Sequence, residues 1–276
     1  MTVFEAIFTF DFMGYAVISA ILASVIASII GVIVVEKKLV MLTGGVAHTA
    51  FGGVGLGFLL GFEPILGGGI FAVIASIVIG FLKNKNDKLS DVFIAVFWSV
   101  GMALGTIFIS LSSGYAPDMS SYLFGNILTV SLTDVITLGV LTIVIVVAFI
   151  IFSKYIGAYL FDDEFLKVRK VNVGLIEIIT NVVIALSVVV LIKITGIILI
   201  LALIAVPVAT SMLVSKKFIN RVVISALFGI AYSFVGIILS YELNLPTGAS
   251  IIVISSIIYF IIRLGKFLTN KLKRNK

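Results

Sequence analysis

The 276-residue chain has no cysteine, a single histidine and only 12% charged residues. Without cysteine it has neither disulfides nor thiolate metal sites, and its redox compartment cannot be inferred. With one histidine it has no multi-histidine centre either, whereas a tight zinc site wants four donors. An ordinary soluble domain carries about 25% charge, twice what is found here. The Gly-x-x-x-x-Gly-Lys-Ser/Thr loop that cradles nucleotide phosphates is also missing; Gly67-Gly-Gly lacks the lysine and lies at the start of an apolar stretch. The chain is therefore not expected to be an enzyme or to bind a cofactor itself. Any chemical energy it uses must come from elsewhere.

What the chain has in abundance is apolar length. It is 61% hydrophobic with a mean hydropathy of +1.32. A hydrocarbon core of about 30 Å needs roughly 20 apolar residues per helix, and about nine such stretches are present. They lie near Phe12 to Val35, Gly44 to Gly61, Ile65 to Leu82, Val92 to Leu111, Val135 to Phe152, Leu175 to Leu191, Gly196 to Val214, Val222 to Tyr241 and Thr247 to Ile262. Continuous runs without period-two alternation predict helices rather than a β-barrel. The expected fold is an all-α polytopic helix bundle, with 1–276 a single transmembrane domain of the cytoplasmic membrane.

Charge orders these spans. Lys37 and Lys38, then Lys83, Lys85 and Lys88, then Lys154, Lys167, Arg169 and Lys170, then Lys216, Lys217 and Arg221, and finally the tail from Arg263 to Lys276 place basic residues in every second connection. Lys and Arg are retained on the cytoplasmic side, so the N-terminus is expected outside and the C-terminus in the cytoplasm. Of the 19 basic residues only Lys193 falls on the outer side, where Glu5, Asp11, Glu63, Asp118, Asp134 and Glu242 gather. This placement accounts for the +6 net charge without a nucleic-acid partner. Met1 to Phe10 has neither a basic n-region nor a small-residue cleavage site, so no cleaved leader is expected there.

The histidine sits in the most glycine-rich span. Gly45, Thr49, Gly53, Gly57 and Gly61 recur every four residues and give one helix a smooth strip for a neighbouring backbone. His48 lies beside the strip, with Gly44 and Gly52 one turn either side. A lone intramembrane histidine is either a hydrogen-bonded structural residue or a functional one. As a metal ligand it is incomplete, which suits a site that passes a cation onward more than one that keeps it.

Two connections are longer than a bundle needs. The outer one, Ser113 to Asp134, has enough apolar content to lie at the interface or dip back into the protein. In the inner one, Phe161, Phe165 and Val168 fall at i, i+4 and i+7, with Asp162, Asp163 and Glu164 toward the N-terminal end and Lys167, Arg169 and Lys170 after them. This predicts a short amphipathic helix with charges suited to its dipole, serving as a surface connector or as a docking element for a cytoplasmic subunit.

Four segments, in order along nearly the whole chain, carry a family resemblance: Leu42-Thr-Gly-Gly-Val-Ala-His-Thr-Ala-Phe-Gly-Gly-Val, Tyr122-Leu-Phe-Gly-Asn-Ile-Leu, the run from Gly196 through Pro207 to Thr210, and Leu245-Pro-Thr-Gly-Ala. Together they resemble the membrane permease of metal-ion ATP-binding-cassette importers, which serve zinc, manganese and iron uptake. The resemblance implies a type II importer permease fold, a homodimer, two cytoplasmic ATPase subunits that bind ATP, and an extracytoplasmic binding protein that delivers the divalent ion. His48 matches the family's histidine in the second span, as a pathway ligand. Typical members have an aspartate one turn earlier, where this chain has Gly44. Asp162 to Val173 matches the loop that meets the ATPase, which favours docking for Asp162, Asp163, Glu164, Phe165 and Val168. Pro207 matches the proline of the late helix, a candidate kink, although membrane helices also tolerate proline without a role.

Other readings stay open. The cargo is alternatively a metal chelate or small organic nutrient, or the chain is a secondary transporter driven by an ion gradient; the latter normally wants more intramembrane carboxylates. Glu177 is a helix cap or a partner for a basic loop residue, and Lys193 snorkels or pairs with a binding protein. Met13, Met41, Met102 and Met212 read as packing residues, since nothing groups them. Asp118 and Asp134 read as solvated carboxylates or cation attractors.

Overall fold

The structure is a computed structural model that describes residues 3–85, 89–112, 125, 127–161, 166, 168 and 170–274. Among them every long element is helical: α1 (Val3–Thr9), α2 (Asp11–Glu36), α3 (Val40–Leu60), α4 (Pro64–Lys85), α5 (Ser90–Leu111), a 3₁₀ turn (Ile127–Thr129), α6 (Leu132–Phe161), α7 (Val173–Val214), α8 (Phe218–Leu243) and α9 (Thr247–Arg274). Eight of the helices, α2 to α9, are long and apolar enough to cross a membrane. The eight accommodate nine predicted spans because α7, at 42 residues, contains two of them. At about 1.5 Å per residue it would be far longer than a bilayer is thick, and it breaks at Gly196 (φ 76°, ψ 166°), a conformation essentially confined to glycine.

The chain groups into two compact units. One comprises 36–123 and 150–193, hence α3, α4, α5, the end of α6 and the first part of α7. The other comprises 1–35, 124–149 and 194–276, with α1, nearly all of α2, the start of α6, the rest of α7, α8 and α9.

In the first unit, glycine sets how close the helices come. Gly57 packs on Pro64, whose Cα would lie 2.6 Å from a Cβ added there, and a Cβ at Gly53 would overlap the Gly67 carbonyl. The α3–α4 turn is correspondingly short. Gly61 takes the left-handed conformation (φ 72°), Phe62 donates its N–H to the Gly57 carbonyl at 3.1 Å, and Pro64 opens α4, where its missing N–H costs no helical bond. On the other side α3 meets α5. A Cβ on Gly52 would lie 2.9 Å from the Gly101 carbonyl oxygen, one on Gly55 would lie 2.6 Å from that of Gly105, and one on Gly45 would lie 2.7 Å from Ile94 Cγ2. Rising numbers pair with rising numbers, so α3 and α5 run parallel, while α4 runs antiparallel to α3. The predicted strip is thus shared between two neighbours: Gly45 and Thr49 face α5, and Gly53 and Gly57 face α4.

In the second unit, Gly31 of α2 meets the Ile204 carbonyl of α7, and Gly229 of α8 meets Ser24, whose Cβ would lie 3.1 Å from a Cβ added there. The α8–α9 turn carries Leu245-Pro-Thr-Gly-Ala. Asn244 caps α8 in the left-handed conformation (φ 52°), Leu245 donates to the Ser240 carbonyl at 3.1 Å, and the Ser240 hydroxyl reaches the Leu245 carbonyl at 2.6 Å and the Thr247 hydroxyl at 2.8 Å. Gly125, from the outer motif, has φ 68° and lies so close to Thr195 and Gly196 that a Cβ would overlap the Thr195 carbonyl. Ile127 and Val130 are buried, so the described end of this outer connection is packed against protein.

These contacts predict a graded glycine series. Gly101→Ala forces α3 and α5 apart and Gly196→Ala places a side chain in a forbidden backbone region, a cost of about 1–3 kcal/mol. Gly69, with nothing within 4 Å, accepts alanine without loss. Thermal unfolding of the purified chain in detergent should give a lowered midpoint for the first two and an unchanged one for Gly69→Ala; equal midpoints for all three would show that close approach is unimportant.

Candidate functional site

His48 lies two turns into α3 and is 8% exposed. Its imidazole stacks on the indole of Trp98 from α5, with ring centroids 4.0 Å apart and planes inclined by 15°. The adjacent residues join the same helices: the Thr49 hydroxyl lies 2.7 Å from the Gly45 carbonyl and 3.0 Å from the Phe97 carbonyl, to which it donates across the interface. One turn further along α5, Gly101 lies against Thr49, and a Cβ there would come within 2.9 Å of the His48 carbonyl oxygen. The imidazole is therefore held where two helices touch backbone to backbone.

Its Nδ1 is buried and has no hydrogen-bond partner. A buried polar atom left unsatisfied costs about 1–3 kcal/mol, and an imidazole nitrogen is a good ligand for transition metals. Gly44, one turn earlier, is buried and offers no side-chain donor. Among the described residues no three His, Cys, Asp or Glu side chains are grouped to hold a metal ion. The described side chains fit a site at which an ion is met by one imidazole and otherwise by oxygens of the backbone, hydroxyls or solvent.

The docking candidates are only partly placed. Asp162, Asp163, Glu164 and Phe165 lie outside the described residues. Val168 is 83% exposed and Phe161 58% exposed, while Leu166, which the spacing argument passed over, is fully buried. The segment closes there: Lys170 takes the left-handed conformation (φ 57°) and Val171 donates to the Leu166 carbonyl at 3.0 Å, a closure commonly accompanied by contact between the two flanking apolar residues. Asn172 then caps α7, its Oδ1 accepting from the Leu175 N–H at 3.1 Å.

The remaining candidates fall apart from one another. Pro207 is buried within α7, and helical dihedrals run through it; the one non-helical residue of that helix is Gly196. The Gly31 contact at Ile204 and Val208 brings α2 against the proline's turn. Asp134 is engaged in capping α6, accepting from the Ser131 N–H at 3.1 Å and the Ser131 hydroxyl at 2.6 Å. Lys193 is exposed three residues before the Gly196 break, and Glu177 is half-buried in the second turn of α7. Met13 is buried and Met41 exposed.

Several polar residues were missed by sequence reasoning. Trp98 is one, and the Gly101-x-x-x-Gly105 spacing, a known small-residue signal, pointed at its helix face. Asn181 of α7 is 1% exposed with an unpartnered Oδ1, and the hydroxyls of Ser19, Ser225 and Ser233 are buried without partners. Tyr232, also 1% exposed, has its hydroxyl 3.0 Å from that of Thr210. No spacing rule singles out such residues among the many small polar residues of membrane helices.

Comparison with known proteins bears on the family and the fold. The model of the ABC 3 transport family matches residues 9–266. An uncharacterized membrane protein of Synechocystis sp. is 33% identical over 91% of this chain and 90% of its own length. The manganese import system permease protein ScaB of Streptococcus gordonii is 29% identical over 98% of both chains. Among solved structures, PsaBC from Streptococcus pneumoniae in complex with Fab superposes with a TM-score of 0.86, at 27% identity over 94% of each chain. The chain belongs to the ABC 3 transport family.

Proposed function

We propose that this chain is the permease subunit of an ATP-binding-cassette importer that moves a divalent transition-metal ion across the cytoplasmic membrane, with manganese the first cargo to test and zinc and iron beside it. The observation that carries the reading is the buried, unpartnered Nδ1 of His48, held at a glycine-tight helix contact in a membrane chain. The names of similar proteins support the cargo class: one is a manganese import permease, and a second, 26% identical and from Listeria monocytogenes, is a manganese transport system membrane protein.

In this reading 1–276 acts as one transmembrane permease domain and pairs with a second copy. A binding protein outside presents the ion, and the ion passes His48. Two cytoplasmic ATPase subunits engage the connection around Asp162 to Val173 and alternate access by binding and hydrolysing ATP. The exposed Val168 and Phe161 support docking there, since solvent-facing apolar side chains beside basic residues suit a partner's groove. In α7 the Gly196 break is the point at which the helix departs from a uniform rod, and Pro207, where one helical hydrogen bond is missing, is the proposed flexing point beyond it.

Two measurements test this. In vesicles containing the permease with its ATPase and binding protein, ATP-dependent accumulation of manganese, zinc, iron and cobalt should select one ion, and His48→Ala at equal expression should lower its uptake at least tenfold. Wild-type uptake by His48→Ala would overturn the ligand role, and no uptake of any free ion by a complex that still hydrolyses ATP would overturn the cargo. Val168→Asp and Phe165→Asp should each reduce co-purification of the ATPase severalfold, and unchanged co-purification would place docking elsewhere.

A further inference from the structure

The single tryptophan of the chain lies face to face with its single histidine. That pairing is fixed from both sides. Thr49, next to His48, is bonded to the carbonyl of Phe97, next to Trp98. Gly101 and Gly105 then bring the α5 backbone onto His48, Thr49 and Phe51 of α3. The helices cannot slide without breaking the Thr49 bond, and they cannot rotate without driving another residue into the glycine contacts.

The consequence is geometric. With the planes inclined by only 15° and the centroids 4.0 Å apart, the indole covers one face of the imidazole. A metal ion binds imidazole in the ring plane along a nitrogen lone pair, so covering a face blocks no ligation. It does prevent the ring from turning about its side-chain bonds. Ligation also withdraws electron density from the imidazole, and the negative face of an indole attracts an electron-poor partner more strongly than a neutral one. Nδ1, buried and unpartnered, is then held at a fixed angle, and nothing else among the described contacts orients it.

We propose that Trp98 is a positioning residue for His48: stacking holds the imidazole in the orientation that meets the transported cation and favours the cation-bound ring over the free one. The proposal rests on His48 being a ligand of the transported ion. It assigns to α5 a part in the pathway that its own side chains do not play by coordination.

Because Trp98 is the only tryptophan, emission of the purified full-length chain excited at a wavelength its tyrosines do not absorb reports this stack. Paramagnetic Mn2+ should quench it saturably, and Mg2+, which prefers oxygen ligands, should not at the same concentration. Mn2+ affinity, read from the resonance signal of the free ion, should fall about tenfold in Trp98→Leu, the range seen when groups that orient metal-ligating histidines are removed, while Trp98→Phe, which keeps an aromatic face, should stay within about threefold. The half-saturating manganese concentration for uptake by the assembled importer should shift in the same order. In the His48→Ala background Trp98→Leu should have no further effect on affinity. Equal affinities for wild type, Trp98→Phe and Trp98→Leu, with His48→Ala still impaired, would overturn the positioning role alone. Unaltered Mn2+ affinity and quenching in His48→Ala would overturn the ligand role on which it rests. A thermal melt of each variant separates misfolding: a lowered midpoint with equal affinity loss in Trp98→Phe and Trp98→Leu would make Trp98 a packing residue and reject the proposal.

Discussion

The backbone contact of α3 with α4 and α5 is the constraint on which the candidate site depends. In a bilayer the hydrophobic effect does not press helices together, because lipid tails are as apolar as leucine; close association must come from dispersion and polar contacts at short range. Glycine at Gly52, Gly55, Gly101 and Gly105 removes the side chains that would hold the axes apart, so that carbonyl oxygens of one helix lie against Cα atoms of the other. Such Cα–H to carbonyl contacts recur at helix interfaces and add modestly to the packing. The Thr49 hydroxyl adds a hydrogen bond to the Phe97 carbonyl across this interface.

Gly125 and Gly196 form a second constraint of a different kind. Both have positive φ, and each needs the absence of a side chain: Gly196 to break a helix twice the length of a span, Gly125 to approach that break. Gly125 of the outer motif and Gly196, at the start of the late run, look unrelated in sequence and meet in one contact. The break also explains the isolated Lys193. A basic residue is tolerable there because the helix is interrupted three residues later, and its exposed side chain can reach a polar environment at the end of a span.

The membrane-spanning runs were legible because hydropathy decides them: a continuous apolar run in lipid has no alternative to a helix when it cannot close a barrel. The helix ends were not, since α6 continues past Phe152 to Phe161 and α9 past Ile262 to Arg274, and the short α1 carried no such run. The placement of the histidine at a close helix contact was legible too, from its glycine context. The sharing of one glycine strip between two partners was not, because period four identifies a smooth face and says nothing of which neighbour occupies it. Trp98 escaped for the same reason, since its role exists only through a residue 50 positions away. Reading Phe161, Phe165 and Val168 as a face passed over Leu166, which is buried where the left-handed Lys170 closes the chain back on its carbonyl. Pro207 drew notice as a potential kink, yet the break in α7 belongs to Gly196; proline restricts φ to a value that a helix already uses, whereas positive φ cannot be helical at all. Asp134 read as a free carboxylate until Ser131 was seen to cap against it.

A transport site faces a requirement opposite to that of a structural metal site. Its ion must bind well enough to leave water and weakly enough to leave the protein, and four strong donors would fail the second condition. One imidazole with Gly44 before it meets both more readily than a dense ligand cluster, but a lone ligand on a mobile side chain would also spend most of its time misdirected. Rigidity can replace donor number. If the ring is already oriented by the seam it stands in, little orientational freedom is lost when the ion arrives, and affinity comes from preorganisation rather than from further bonds. Such a site can be emptied by a small change: separating α3 from α5 would free the ring and lower its affinity without breaking any bond to the ion. The Gly101 contact, the Thr49 bond and the Trp98 stack lie together in one interface, so a movement that disturbs one disturbs all three. Under the proposed function, that interface is where a conformational change driven by ATP on a partner would be converted into release of the ion.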